Sequence, residues 1–323
     1  MVNISVSKVL PFCALALITL CGQVVIADVA HWTTLKPEVV HQINSNNEVG
    51  VATADIGIYY PSNLDKAFTD RFSLNDLIED FVQAKRIFAD AGVQLNLLWI
   101  KTGEIDSSFF EIQANNTAAT TPGGQYANMY VDSRRQRAGL SQEALNAFES
   151  IVEQHENNDR TVFLIVLQDV FMSFYEQQDE RTWEVRTITT GGLSFPSYIY
   201  QHIPRRLRGV ITINKSNPIR SIVAHELGHK LINVSHEYND IAPQHEVRAE
   251  GGLMLYGSGT DIPAGKAGRW HKERLHLSPY IYIQTDIGAR TWNADYKEGG
   301  HYYDPIYGDK VIEFGPIEAY AEK

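Results

Sequence analysis

The spacing of apolar positions divides the chain into short strands and amphipathic helices. Val51 to Tyr60 is a β-favouring run, and Val93 to Ile100 reads as a second strand. Between them Leu74, Leu77, Ile78, Phe81, Ala84, Phe88 and Ala91 recur at helical spacing, with Ser73 as N-cap, Asp76 in the capping-box position and Gly92 as the stop. This β-α-β order predicts a right-handed crossover and a mostly parallel, twisted sheet of the α/β (α+β) class. Ser141 to Gln154 predicts a further helix, and Ala264 to Leu275 a short last one. Thr161 to Leu167 and Gly209 to Ile213 are continuous apolar runs, as expected of strands buried on both faces. Between them, Thr187 to Tyr200 predicts an edge strand interrupted by Gly191, Gly192 and Pro196. Residues 113–125 are small, polar and rich in turn formers, which predicts an exposed loop.

The N-terminus departs from this pattern. Lys8 precedes an apolar run from Val9 to Leu20 that is too short to span a bilayer, and Val25 and Ala27 supply small residues before a cleavage site. Residues 1–27 are therefore expected to be a signal peptide, and the protein to be exported, secreted or periplasmic. Cleavage would remove Cys13 and Cys21, the only cysteines, leaving a chain with no disulfide. A rival reading lipidates Cys21, but Leu20 before it is bulky where such sites want a small residue. No later stretch reaches the ~18 apolar residues of a membrane span.

With 44% hydrophobic and 21% charged residues, the 323-residue chain has the composition of a globular protein, which excludes a disordered or collagen-like one. A formal net charge of −11 argues against a nucleic-acid partner. No repeat is evident, residues 28–276 read as one domain and 277–323 as an irregular C-terminal extension, and a monomer is expected. Arg205, Arg206 and Arg208 make a basic patch of the kind usual in a solvated loop, while Asn115, Asn214 and Asn233 head glycosylation sequons.

The chemistry gathers after the strand at 209–213. Asn217 and Pro218 read as an N-cap and first-turn proline opening a helix that contains His225-Glu226-Leu227-Gly228-His229. Residues four apart on a helix project about 40° from each other, so both imidazoles can reach one metal ion from adjacent turns. Glu226 sits where it can touch a metal-bound water without being a ligand. Zinc (Zn2+) is the expected metal, because imidazole nitrogens suit it and it is redox-inert.

The run from His225 to His236 resembles the extended zinc motif of metzincin metallopeptidases, H-E-x-x-H-x-x-G-x-x-H, with one residue more and no glycine. In that family the glycine turns the chain out of the helix, and here Asn233, the next most tolerant residue of the left-handed region, stands three positions before His236. The resemblance implies His225, His229 and His236 as metal ligands; His245, Asp240 or Glu237 are alternatives for the third. Gly251-Gly252-Leu253-Met254-Leu255-Tyr256-Gly257 is similar to the family's methionine turn, with Met254 as structural support beneath the metal. Tyr256 occupies the position where some branches carry a tyrosine that ligates zinc or stabilises the oxyanion.

The resemblance covers roughly residues 217–275 and implies a metzincin-like catalytic domain with a small C-terminal subdomain. It implies a zinc metalloendopeptidase: three imidazoles hold the ion, its water becomes acidic, and Glu226 acts as general base toward a protein or peptide substrate. Two other readings remain open. In one, Glu246 or Glu250 completes a thermolysin-like site; in the other, His245 closes a structural zinc site in an exported binding or adhesion protein. Surface or supporting roles are expected for His271 and His276.

Overall fold

The computed structural model describes residues 31–115, 138–177, 182–195, 200–201, 203–215, 221–233, 252–254, 259–262, 269–293, 301–303 and 311–313. In chain order these form β1 (His31–Thr34), α1 (Pro37–Ile43), β2 (Ala52–Pro61), α2 (Lys66–Thr69), α3 (Leu74–Asp90), β3 (Val93–Glu104), β4 (Glu111–Gln113), β5 (Ala138–Gly139) and α4 (Gln142–Ile151). The order continues with β6 (Val162–Val166), β7 (Asp169–Gln177), β8 (Trp183–Thr190), β9 (Gly192–Ser194), β10 (Tyr200–Gln201) and β11 (Val210–Ile213). It ends with α5 (Ile222–Ile232), α6 (Arg269–His276), β12 (Ile281–Gln284), β13 (Arg290–Trp292), β14 (His301–Tyr303) and β15 (Val311–Glu313). The expected signal peptide, residues 1–27, lies outside the described residues. None of the described helices is long and apolar enough to cross a membrane.

The main sheet has the order β1-β3-β2-β6-β11-β9, with β12 also on β2 and β13 on β12. Its four central strands, β3, β2, β6 and β11, run parallel, and the strands flanking them are antiparallel. The chain is thus α/β with a parallel centre. Among the parallel strands, β6 carries apolar side chains on both faces, and all five of its positions are buried. Between β2 and β3, α3 starts as its sequence requires: Asp76 N donates to Ser73 Oγ at 3.2 Å and Ser73 N to Asp76 Oδ2 at 2.7 Å. Such caps contribute about 1 kcal/mol. The helix buries Leu77, Phe81, Ala84, Ile87 and Phe88, and Gly92 ends it with φ +77°.

Four expectations need correction. The segment 187–200 is not one edge strand: residues up to Thr190 belong to β8, which pairs with β7 in a separate three-stranded sheet, and only β9 lies on β11. The exposed loop does not begin at residue 113, because Ala114 and Asn115 are buried and Asn115 exchanges hydrogen bonds with the Ser173 backbone; residues 116–125 lie outside the described residues. Residues 281–292 are not irregular, since β12 and β13 extend the main sheet. The helix that carries His225 and His229 is capped at Ser221, so it does not run unbroken from Asn217, which lies outside the described residues.

Two other readings meet side-chain partners. Arg205 pairs with Asp159 at 3.0 Å, and Arg206 with Glu149 at 3.6 Å, so two of the three arginines of the basic patch have acidic partners. All three sequon asparagines are buried, and Asn214 Nδ2 donates to the Thr190 carbonyl.

Candidate metal centre

The site is built on α5, whose eleven residues are all buried. Its start is fixed from outside the helix. Ser221 Oγ accepts from Ala224 N at 2.9 Å and donates to the Asp80 carboxylate on α3, while Val223 N donates to the other Asp80 oxygen at 3.3 Å. Ser221 therefore caps the helix, because a buried carboxylate fixes its hydroxyl and takes up a helix N–H. Burial raises the Asp80 pKa, opposed by hydrogen bonds from Ser221, Val223 and Ile222.

One turn further on, His225 and His229 lie with ring centroids 4.7 Å apart and planes at 80°. One donor atom from each of His225, Glu226 and His229 falls within 4.8 Å of the others, and all three residues are buried. Nδ1 of His225 lies 2.8 Å from the carbonyl oxygen of Leu253. A carbonyl only accepts, so Nδ1 carries the proton and Nε2 keeps its lone pair. Such a bond is the usual outer partner of a metal-ligating imidazole. The donor chemistry thus fits a metal ion, and the buried His225-Glu226-His229 group could bind one.

Two glycines let neighbouring segments approach the helix. A Cβ on Gly228 would lie 2.4 Å from Met254 Sδ, and a Cβ on Gly192 of β9 would lie 2.7 Å from Glu226 Cγ and 3.0 Å from its Oε1. Lys230 is buried and donates to the carbonyls of Phe195 at 2.8 Å and Arg208 at 2.5 Å, tying the end of β9 to α5. Burial pulls its ammonium well below the ordinary lysine value, opposed by the nearby Glu226 charge.

The helix ends at Asn233 with φ 55° and ψ 51°, the left-handed turn expected of it. Arg274 of α6 reaches the terminal carbonyl of Ile232 at 3.4 Å. Met254 is fully buried, and Gly252 has φ 145°, incompatible with a helix through that position. His236 and Tyr256 lie outside the described residues, as do Glu237, Asp240, His245, Glu246 and Glu250. His271 is buried on α6, while His276 Nε2 lies 3.2 Å from the Ala91 carbonyl, so it braces the turn after α3.

The sequence alone assigns no role at the site to Asp80, Gly228 or Lys230, and marks Gly192 only as an interruption of a strand. Two of them left a trace. Asp80 interrupts the apolar face between Leu77 and Phe81, and Lys230 interrupts the apolar end of α5. Among known proteins, no family model matches the chain, and no curated protein matches it.

Proposed function

We propose that this protein is an exported zinc-dependent endopeptidase of metzincin-like type, cleaving peptide bonds in protein or peptide substrates. The observation that carries the reading is the carboxylate of Glu226 beside two imidazoles whose donor atoms converge within 4.8 Å on one buried helix. A purely structural metal site has no use for an adjacent base. His225 and His229 are the proposed ligands, joined by His236, which follows the left-handed turn at Asn233 by three residues. Met254, packed against Gly228, forms the floor.

Zinc, when bound, supplies Lewis acidity toward a substrate carbonyl and lowers the pKa of a water to about 7. Glu226 takes a proton from the attacking water and delivers it to the leaving amine nitrogen. The Leu253 carbonyl keeps His225 in the tautomer that presents Nε2. An extended substrate adds as a further strand alongside β9, the terminal strand of the sheet order, with Glu226 directly behind Gly192.

The test is to incubate the protein and its Glu226→Ala variant with a diverse peptide mixture and follow cleavage by mass spectrometry. Products that form with wild type, and vanish in the variant and on zinc chelation, are expected. Zinc binding without any cleavage by wild type would count against the peptidase reading.

A further inference from the structure

Helix α1, the turn after it, α3 and the start of β3 enclose a half-open cleft of about 520 Å3, remote in sequence from the metal centre. That volume lies within the range of small-molecule pockets. Val39, Ile43, Ile78, Val82 and Leu95 supply its apolar wall. Its charged lining residues are Lys85 and Arg86, and no Asp or Glu lines it, although the chain holds 39 acidic against 28 basic residues.

Lys85 Nζ donates to Asn47 Oδ1 at 2.8 Å and to the Leu95 carbonyl at 2.5 Å. An ammonium has three donors, so one remains for a ligand. Burial lowers the Lys85 pKa to about 8, which still leaves it cationic at neutral pH. Among the described residues no carboxylate lies within 4.0 Å of it. A partly desolvated cation held only by neutral acceptors gains from an anion placed beside it.

We propose that this cleft binds a small amphiphilic carboxylate, its apolar tail against Val39, Ile78 and Val82 and its headgroup against Lys85 and Arg86. The site is independent of the peptidase reading and needs no metal.

The experiment is calorimetric titration of the full chain with decanoate and with decanol, both below their aggregation limits. Wild type is expected to bind decanoate saturably and about tenfold more tightly than decanol, the gain of one charge-assisted contact. Lys85→Met is expected to remove that preference, and Val82→Trp, which fills the cleft, to abolish binding of both, with circular dichroism confirming the fold. If Lys85→Met does not fold, Arg86→Ser at the exposed rim replaces it and is expected to reduce the preference. Equal affinity for decanoate and decanol in wild type, or decanoate binding unchanged by Val82→Trp, would overturn the proposal.

Discussion

The carbonyl oxygen of Leu253 accepts the Nδ1 proton of His225 at 2.8 Å, joining two segments 28 residues apart. The ring is therefore oriented by a backbone partner, as a metal-ligating imidazole commonly is. In 15N-resolved spectra of the metal-free protein, His225 is expected as the Nδ1–H tautomer. Added zinc should shift Nε2 and leave the Nδ1 proton in place. Loss of that proton on zinc addition would contradict the assignment.

Gly228 is expected to resist the smallest substitution. Alanine in place of a helical glycine ordinarily stabilises by about 0.5–1 kcal/mol. Here the new methyl would sit 2.4 Å from Met254 Sδ and 3.2 Å from Leu253 Cδ2, and Met254 is fully buried with no solvent to retreat into. Overpacking of this kind costs about 1–3 kcal/mol, so the clash should win. Gly228→Ala should lower the denaturation midpoint, and adding Met254→Ala should recover part of the loss in a double-mutant cycle.

Gly192→Ala separates the roles of base and ligand. Gly192 is not among the positive-φ glycines, so the backbone accepts alanine, but the methyl would meet Glu226 Cγ at 2.7 Å. If Glu226 is the general base, a displacement of this size should lower kcat about 100-fold. Zinc content, measured by atomic emission, should stay unchanged. Loss of zinc with this substitution would point to Glu226 as a ligand.

What the sequence showed depended on how local the cause was. Ser73, Asp76 and Gly92 act within a few residues, so α3 was legible to its ends, and the apolar runs of β6 and β11 announced strands buried on both faces. The pair of histidines was legible because helical spacing alone brings them together. The pairing of β12 with β2 was not, because it joins positions more than two hundred residues apart and four residues carry no record of their partner. Asn217 and Pro218 are a good local start signal, yet Ser221 caps the helix because Asp80, 141 residues earlier, waits beside it. Gly192 and Gly228 matter only through the atoms facing them, which periodicity cannot reveal.

Lys85 gives a pH dependence with a definite sign. Burial holds its folded pKa at about 8 against the ordinary 10.5. Between those values the unfolded chain binds more protons, so this group makes stability rise as pH climbs from about 8 to 10.5; below 8 its destabilising effect is complete. The melting temperature of wild type relative to Lys85→Met should be flat from about pH 6 to 7.5 and rise across that window. A difference that stays constant to high pH would contradict the burial of the amine.

The Asp55 carboxylate should reveal whether the segment after residue 276 is integral to the sheet. It is buried, and accepts from Tyr282 Oη at 2.8 Å, Asn96 Nδ2 at 2.7 Å and Arg290 Nη1 at 2.7 Å, so one group links β12 and β13 to β2 and β3. Burial and the neighbouring carboxylate push the Tyr282 hydroxyl up, so it stays a donor at all ordinary pH. Asp55→Ala leaves the buried Tyr282 hydroxyl and the Asn96 amide without their acceptor at once, each loss costing about 1–3 kcal/mol. Arg290→Ala should cost less, about 1–3 kcal/mol, because the Arg290 side chain is 32% exposed and water can replace it at Asp55. Denaturant titration orders the two variants, and a chain ending at residue 276 should be at least as destabilised as Asp55→Ala. If that shortened chain keeps the wild-type midpoint, β12 and β13 contribute nothing to the sheet they join.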